Sequence, residues 1–328
     1  MQGKKILIIG GTGALGKMLL NRYHDNNQLF ILSRDEHKHV NLMNQYKNVE
    51  FEIGDIRRKD SIISAINKFR PEVFINASAI KHIHICEANP YESIQTNVLG
   101  NQNIIDAIQQ AKHQIEGIIF TSTDKACKPI NVYGMCKSIS ERMYQNFAKH
   151  NKDIKVAIVR YGNVLESTGS VIPFFKKIIT GYKFDGGYMN DVSGFIPITH
   201  PEMTRFFLTL EDAITLLIEW AYENPESHGY VAIPKTPSLR IIDLAITLIK
   251  WYRKPNIEIK YVGIRPGEKI HEELISTEES LRTRKYDNYY LITDKLQTDT
   301  PWFYTSANSL IEGDKNIEKF LIKSGVLK

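Results

Sequence analysis

The sequence predicts an α/β fold with a doubly wound parallel sheet and a smaller C-terminal lobe. A short apolar segment at residues 5–9 is followed by a glycine-rich turn and a helical pattern. Apolar strands and helical patterns then alternate to about residue 165, which is typical of a parallel sheet covered by helices on both faces. The pattern is less regular beyond that point. We therefore expect a first domain over residues 1–165 and a lobe over residues 166–328 that returns strands to the first domain.

The turn after the first strand is typical of a Rossmann-like dinucleotide-binding domain. Its glycines allow a tight turn, a close approach of a diphosphate to the backbone, and close packing of the next helix on the strand. The N-terminus of that helix, which extends to about His24, attracts the anion. A glycine triplet alone is weak evidence, but between a strand and a helix it is strong. The residues that we expect to hold the cofactor here are Gly10, Thr12, Gly13, Ala14, Leu15 and Gly16.

The end of the second strand, residues 29–32, indicates which dinucleotide binds. An acid at this point would favour NAD, but the chain has Ser33 and Arg34. A hydroxyl and a guanidinium suit a 2′-phosphate, so the sequence predicts NADP. The alternative is that Arg34 is a surface residue and Asp35 binds the ribose.

The third and fourth strands, residues 49–53 and 73–76, end in further cofactor candidates. An acid and an apolar residue follow the third strand, where we expect them to meet the adenine, and three small residues follow the fourth. A predicted long helix over residues 90–111 contains an inward-facing asparagine that needs a polar partner, for which the backbone near the active site is a candidate. These candidates are Asp55, Ile56, Ala77, Ser78, Ala79 and Asn97.

The segment from Thr121 to Lys137 carries the expected chemistry. It follows a buried strand at residues 115–120 and leads into a helix over residues 132–149, for which Asn131 is the expected N-cap. Tyr133 and Lys137 are spaced four residues apart and share one face of that helix. An ammonium beside a phenol lowers the pKa of the phenol, which can then accept a proton from a sugar hydroxyl. On its own, however, a pair with this spacing is usually part of a solvated helix face.

Composition excludes several classes of function. The net charge of +5 is mild and the basic residues are dispersed, which argues against a nucleic-acid partner. Cysteine occurs three times, without the spacing of metal ligands, which argues against a metal and indicates a reducing compartment. We find no signal peptide and no apolar stretch long enough to span a bilayer. We therefore expect a cytoplasmic protein without a membrane partner.

The second half of the chain has fewer clear patterns. Helices are predicted at residues 210–222 and 239–251, and strands near 230–233 and 258–262. Residues 184–193 are glycine-rich and predict a loop, and residues 81–84, Lys-His-Ile-His, predict a loop whose Lys81 contacts the substrate. The aromatic segment at residues 285–302 has no clear periodicity.

These motifs resemble the extended short-chain dehydrogenases/reductases over nearly the whole chain. Within that superfamily, the chain is most similar to the inverting UDP-N-acetylglucosamine 4,6-dehydratases of the pseudaminic-acid type. Retaining 4,6-dehydratases usually carry Asp-Glu where this chain has Asp124-Lys125, and sugar 4-epimerases carry no acid/base pair there. The matching segments are residues 10–16, Asp55-Ile56, residues 122–126, Tyr133 with Lys137, residues 160–164, residues 203–206 and residues 265–269.

The resemblance implies an NADP-dependent dehydration in which the sugar is oxidised at carbon 4, loses water across carbons 5 and 6, and is inverted at carbon 5. Tyr133 and Lys137 would act in the oxidation, Thr123 would hydrogen-bond the carbon 4 oxygen, and Lys125 and protonated Asp124 would eliminate water. Burial and the Lys137 charge are expected to lower the pKa of Lys125, as a base requires. The implied substrate is UDP-N-acetylglucosamine or a related UDP-sugar, and the implied assembly is a homo-oligomer. The implied substrate-binding residues are Lys81, Asn163, Arg205, Arg265 and Glu268.

Two alternatives remain open at this stage. The first is a retaining nucleotide-sugar 4,6-dehydratase or a 4-epimerase, and the second is a non-enzymatic NADP-binding sensor. Sensors of this fold commonly lose the Tyr/Lys pair, which this chain keeps. The chain also departs from the family at Glu166 and Thr168, where a glycine and an arginine are usual.

Overall fold

The strands alternate with helices along the first half of the chain, as the sequence predicts. This computed structural model describes residues 1–167, 169–181 and 194–328. The described strands are β1 (Lys5–Ile9), β2 (Gln28–Ser33), β3 (Glu50–Ile53), β4 (Val73–Asn76), β5 (Gly117–Thr123), β6 (Lys155–Tyr161), β7 (Asn163–Val164), β8 (Phe195–Ile198), β9 (Thr204–Leu208), β10 (Val231–Pro234), β11 (Ser238–Arg240), β12 (Glu258–Tyr261), β13 (Glu273–Ile275), β14 (Thr283–Lys285), β15 (Tyr289–Ile292) and β16 (Tyr304–Thr305).

The helices cover both faces of the sheet and most of the C-terminal lobe. The described α-helices are α1 (Ala14–Tyr23), α2 (Glu36–Gln45), α3 (Lys59–Phe69), α4 (Ile83–Ala88), α5 (Pro90–Ile94), α6 (Gly100–Gln109), α7 (Val132–His150), α8 (Val171–Thr180), α9 (Leu210–Thr215), α10 (Ile241–Trp251), α11 (Thr277–Ser280) and α12 (Asp314–Lys323). Two π-helical segments, Gln95–Leu99 and Leu216–Tyr222, continue α5 and α9, and 3₁₀ turns occupy Asp124–Ala126 and Pro225–Ser227.

The main sheet positions the functional site. Within the described residues it has nine strands in the order β3-β2-β1-β4-β5-β6-β10-β15-β14. The strands from β3 to β10 are parallel, whereas β15 and β14 run antiparallel to their neighbours. The chain reverses its direction of winding between β1 and β4, and ligands bind at the carboxyl ends of the strands beside such a point. The predicted fold class is confirmed.

Alternate residues of β1 belong to different apolar cores. Leu7 packs into the core on one face of the sheet and Ile8 into the core on the other, as the period of two of a strand requires. A third core, which includes Phe175 of α8, Leu248 of α10 and Leu321 of α12, lies in the C-terminal lobe. Among the described residues, we find no helix that is both long and apolar enough to cross a membrane.

Some local predictions needed correction. The predicted helices at residues 90–111 and 210–222 each change to π-helix part-way, and residues 83–84, predicted as loop, begin α4. The segment without periodicity contains β15, which is buried against β10 in the main sheet. Three strands from beyond residue 165, β10, β15 and β14, thus complete the large sheet. The domain boundary at residue 165 stays a prediction. The predicted loop at 184–193 and Thr168 lie outside the described residues.

Candidate active site

A cleft of about 1250 Å³ lies at the carboxyl ends of β1, β2, β4 and β5, between the sheet and the turn at residues 265–268. It brings together nearly all of the residues proposed from the sequence. Those that line it are Gly10, Thr12, Gly13, Ala14, Leu15, Gly16, Ser33, Arg34, Asp55, Ile56, Ala77, Ser78, Ala79, Lys81, Thr123, Lys125, Tyr133, Lys137, Asn163, Arg265 and Glu268. Asp124, Asn97 and Arg205 do not line the cleft and are buried behind its wall.

The glycine turn can accept a diphosphate. Gly10 has a φ of +77°, and a Cβ at this position would lie 2.8 Å from the Cα of Ser78, so β1 and β4 approach closely only because the side chain is absent. Gly13 caps α1, which leaves the first backbone N–H groups of the helix without intrahelical partners at the cleft. These features fit the predicted dinucleotide.

The end of β2 contains a short hydrogen-bonded chain of side chains that the sequence did not reveal. The Ser33 hydroxyl lies 2.5 Å from Nε2 of the buried His39 and 3.2 Å from the Thr12 hydroxyl. Burial lowers the pKa of His39, while the charge of Asp35 opposes this effect. These two hydrogen bonds hold the Ser33 side chain in place beside the cleft.

The neighbouring charges at this end are mutually paired, and the cations among them are exposed. Arg34 lies 3.8 Å from the carboxylate of Asp55, which is also bound by Arg57. Lys38 lines the cleft as well and pairs with Asp35. The site therefore offers two cations, Arg34 and Lys38, near the expected position of a 2′-phosphate.

Asn97 supports the cleft wall from behind. It lies in the π-helical segment, where its side chain accepts from the Ile80 N–H at 2.9 Å and donates to the Ile80 carbonyl at 2.8 Å. Its own carbonyl accepts from Asn101 and Ser140. The predicted partnership with the backbone is confirmed, and Asn97 fixes the loop that carries Lys81.

Thr123, Asp124 and Lys125 form a tight unit where β5 ends. The hydroxyl of Thr123 and the ammonium of Lys125 each donate to Oδ1 of Asp124 at 2.9 Å. A Cβ on Gly134 would lie 2.2 Å from the Lys125 carbonyl, so this glycine allows α7 to pack directly on the unit. The Asn131 side chain accepts from the Gly134 N–H at 2.7 Å, which confirms the predicted N-cap.

Tyr133 and Lys137 share the buried face of α7, but their electrostatics differ from the expectation. Burial raises the pKa of the Tyr133 phenol, the charge of Asp124 adds to the rise, and a hydrogen bond with Thr123 offsets part of it. Lys137 donates to the Thr121 carbonyl at 2.7 Å, and burial lowers its pKa to about 8. The prediction of a lowered phenol pKa is therefore wrong for this structure, since burial and the Asp124 charge outweigh the hydrogen bond with Thr123.

The prediction for the pKa of Lys125 is also wrong in sign. Burial alone would lower it, but the charges of Asp124 and Glu272 outweigh burial and raise it. Glu272, which the sequence did not single out, lies 3.5 Å from the Lys125 ammonium. Arg205 lies 3.6 Å from the same carboxylate oxygen and donates to the carbonyls of Thr204, Lys269 and Ile270. These contacts turn Arg205 away from the cleft.

The segment at residues 265–279 closes the cleft over the end of β5. Arg265 and Glu268 pair with each other at the cleft surface, at 2.8 Å between Nε and Oε1. The Gly267 carbonyl between them accepts from the Asn131 side chain at 2.8 Å. Lys269 donates to the Cys127 carbonyl at 2.8 Å. The N-cap of α7 thus also anchors the turn that is expected to bind substrate.

A second buried ion cluster lies beneath the site. The Arg160 guanidinium binds Glu141 at 3.0 and 2.6 Å and Glu279 at 2.8 Å through two nitrogens. It also donates to the Leu274 carbonyl, and the Ser122 hydroxyl donates to Glu141. This cluster joins α7, β6 and the C-terminal segment. In the described part of the chain, no group of His, Cys, Asp or Glu side chains could hold a metal ion.

Comparison with known proteins extends these observations. The model of a family described as "Polysaccharide biosynthesis protein" matches residues 6–294. The chain belongs to this family. The inverting UDP-N-acetylglucosamine 4,6-dehydratase of Campylobacter jejuni (strain 81-176) is 37% identical over 324 residues, or 96% of this chain and 90% of that protein. The motif-based resemblance to inverting dehydratases is confirmed.

Two further relatives place this match in context. A Rickettsia bellii protein named UDP-glucose 4-epimerase is 35% identical over 299 residues, which cover 88% of this chain and 82% of that protein. The crystal structure of Pen from Bacillus thuringiensis has a TM-score of 0.87 and 31% identity, with 99% of both chains covered. The family fold therefore extends over the whole chain, while the names within the family include two reactions.

The sequence missed three residues that the site depends on. Glu272 lies far along the chain from Lys125, and Gly134 and His39 have no distinctive motif. Gly134 could have been noticed as a helix-interior glycine, which usually has a packing reason. The assigned roles of the cleft residues stay predictions.

Proposed function

We propose that this protein is an NADP-dependent, inverting UDP-N-acetylglucosamine 4,6-dehydratase. The observation that carries the proposal is the position of Lys125, which lines the cleft while bound to the buried Asp124 and lies on the turn against which Tyr133 and α7 pack. A base and an acid are needed to remove water from a 4-ketosugar, and this pair supplies both. The relative from Campylobacter jejuni, which carries that enzyme name at 37% identity, supports the same activity.

The proposed roles of the residues follow their positions. Bound in the cleft, NADP would supply the hydride acceptor for oxidation at carbon 4 and the hydride donor for reduction at carbon 6. Tyr133 accepts the proton of the carbon 4 hydroxyl, with Lys137 and Thr123 beside it. Lys125 takes the proton from carbon 5, and Asp124 protonates the leaving carbon 6 hydroxyl. Burial and the Asp124 charge raise the pKa of Tyr133 in this structure, which favours the protonated phenol.

For the substrate, we assign the diphosphate to Arg265 and Lys81 and the uridine ribose to Glu268. All three line the cleft, as does Asn163, to which we assign a contact with the sugar. Arg205 would have to leave three backbone carbonyls to reach a phosphate, so we give it a supporting role. A guanidinium binds phosphate oxygens in pairs, which favours Arg265 for the clamp.

The cofactor assignment rests on the end of β2. Ser33, Arg34 and Lys38 line the cleft there, and a hydroxyl with two cations suits a 2′-phosphate. Calorimetry should show tighter binding of NADP than of NAD, and Arg34→Asp should weaken NADP by about 1.5–3 kcal/mol. Equal affinities in the native protein would argue against NADP.

Product analysis tests the activity. Purified protein is incubated with UDP-N-acetylglucosamine in deuterated water and followed by proton NMR. We expect a 4-keto-6-deoxy product of L-arabino configuration with deuterium at carbon 5. A product that keeps the D-configuration would indicate a retaining dehydratase, and UDP-N-acetylgalactosamine would indicate the epimerase named among the relatives.

We also propose that the chain acts as a homo-oligomer in the cytoplasm. Adjacent helices α5 to α7 expose an apolar surface formed by Tyr91, Ile94, Leu99, Met135 and Ile139, which a second copy would cover. The cysteines are free and buried, as suits a reducing compartment. Light scattering after size exclusion should give a multiple of 37.7 kDa, and Met135→Lys with Ile139→Lys should give monomers.

A further inference from the structure

Glu272 forms part of the candidate active site, although no motif assigns it a role. It precedes β13 and is 1% exposed. Its Oε1 lies 3.5 Å from the Lys125 ammonium and 3.6 Å from Nε of Arg205. Its Oε2 is buried and has no hydrogen-bond partner. Asp124 also contacts Lys125 through one oxygen, with Oδ1 accepting from the ammonium at 2.9 Å and Oδ2 buried without a partner.

The charges in this cluster balance as two anions and two cations. Asp124 faces Lys125 from its own turn, Glu272 from the segment before β13, and Arg205 from β9, while the Tyr133 phenol approaches from α7. Lys125 itself is 14% exposed, and its side chain reaches the cleft. Since burying an unpaired charge is costly, removal of either carboxylate would favour the uncharged amine.

We propose that Glu272 is a positioning residue that holds the Lys125 ammonium beside Asp124, the group to which its proton passes when substrate is bound. The proposal rests on the function proposed above. The proton moves along the 2.9 Å hydrogen bond from Nζ to Oδ1, which gives a neutral amine and a neutral carboxylic acid. No proton enters or leaves the cluster in this step, and Glu272 stays anionic beside Arg205.

The elimination then restores the starting charges. The Lys125 amine takes the carbon 5 proton, the carbon 5–carbon 6 double bond forms, and the carbon 6 hydroxyl leaves as water with the proton from Asp124. Lys125 is again an ammonium and Asp124 again a carboxylate. The Glu272 carboxylate stabilises the ammonium as it forms, which is the electrostatic contribution that a positioned charge makes to a transition state.

Direct titration of Lys125 tests this role without depending on turnover. Protein with ¹³C-labelled lysine is titrated by NMR, and the Lys125 signal is assigned by its absence in Lys125→Ala. Loss of a neighbouring anion should lower the midpoint of Lys125 by about one to three pH units in Glu272→Gln. Glu273→Gln is the matched control, because it removes a carboxylate from the next residue, which faces Lys128 instead, and should leave the midpoint unchanged.

Each outcome has a defined meaning. An unchanged midpoint in a Glu272→Gln protein that folds and binds NADP overturns the proposal. If that variant does not fold, Glu272→Asp takes its place, because its shorter side chain moves the charge away from Nζ of Lys125. An unchanged Lys125 midpoint in Glu272→Asp would also overturn the proposal. In an active enzyme, the alkaline limb of the pH–rate profile should move to lower pH with the midpoint, because Asp124 has no proton for the leaving hydroxyl once Lys125 has lost it to solvent. A shifted midpoint in a protein that does not dehydrate the sugar would overturn the proposed function and leave the coupling of Glu272 to Lys125 standing.

Discussion

Two buried ion clusters differ in how completely their hydrogen bonds are satisfied. In the lower cluster, Arg160 binds Glu141 and Glu279, and every carboxylate oxygen has a donor. In the upper cluster, formed by Asp124, Lys125, Arg205 and Glu272, one oxygen of each acid has none. Both clusters connect the end of the parallel sheet to the C-terminal segment, and both are shielded from solvent.

The difference separates a structural role from a reactive one. The bidentate contacts of Arg160 hold the pKa of Glu279 down at about 2 against the effect of burial, so Glu279 keeps its charge at neutral pH. An unsatisfied buried polar atom costs about 1–3 kcal/mol, and such atoms are concentrated where a group must exchange protons or meet a ligand. The upper cluster opens to the cleft through Lys125 and can change its protonation.

The largest expected effect comes from removing the central cation of the upper cluster. Lys125→Ala should lower the rate of dehydration by about 100- to 10,000-fold, because a positioned base is lost. Oxidation at carbon 4 needs the Tyr133 side of the site, so reduced cofactor should accumulate and absorb in the near ultraviolet. Lys128→Ala is the control, since that exposed lysine lies three residues further along the chain and pairs with Glu273 and Glu278 instead. Dehydration by Lys125→Ala within a few fold of the native rate would contradict the assignment.

Removing the central cation of the lower cluster should affect stability instead. Arg160→Met leaves two carboxylates buried without a counter-charge, which should reduce the free energy of unfolding by about 3–5 kcal/mol. Urea denaturation measures this change. Arg240→Met is the matched control, because its pair with Asp243 is exposed and should contribute less than about 1 kcal/mol. Equal effects of the two substitutions would remove the distinction between a buried clamp and a surface pair.

Acid sensitivity should also follow the lower cluster. The pKa of Glu279 is depressed in the folded state, to about 2 from 4.5, so the stability it contributes is present above pH 4.5 and is lost as the pH falls towards 2. Over that window the group adds up to about 1.4 kcal/mol per pH unit. Unfolding free energies measured across the window should therefore fall less steeply in Glu279→Gln than in the native protein. Identical slopes would indicate that Glu279 is not paired in solution.

The smallest effect concerns the tether between α7 and the turn at residues 265–268. Asn131→Ala removes the N-cap and the bond to the Gly267 carbonyl, and should destabilise the protein by about 1 kcal/mol. Asn131→Asp keeps the cap acceptor but cannot donate to that carbonyl. We expect Asn131→Asp to be nearly as stable as the native protein and to have a raised KM for the UDP-sugar. A KM unchanged by either substitution would show that the turn does not need this tether.

The sequence by itself determined the elements whose signals are local. The first strand, the glycine turn and α1 are adjacent in the chain, and the bounds of β1 and β4 agree with the prediction because the apolar pattern of each strand lies within its own segment. The face shared by Tyr133 and Lys137 follows from the helical period alone. These local patterns were sufficient to identify the fold and to predict most of the residues that line the cleft.

Only the tertiary structure decided the charge environment of those residues. The charge of Asp124, together with that of Glu272 from a distant segment, raises the pKa of Lys125 against the expected direction, and burial raises that of Tyr133. Arg205 turns inward because it satisfies the carbonyls of a segment that follows it far along the chain. Burial and long-range charge pairing depend on which segments pack together in the folded protein. The order of residue types along the chain does not specify those contacts, so the pKa directions could not be predicted from it.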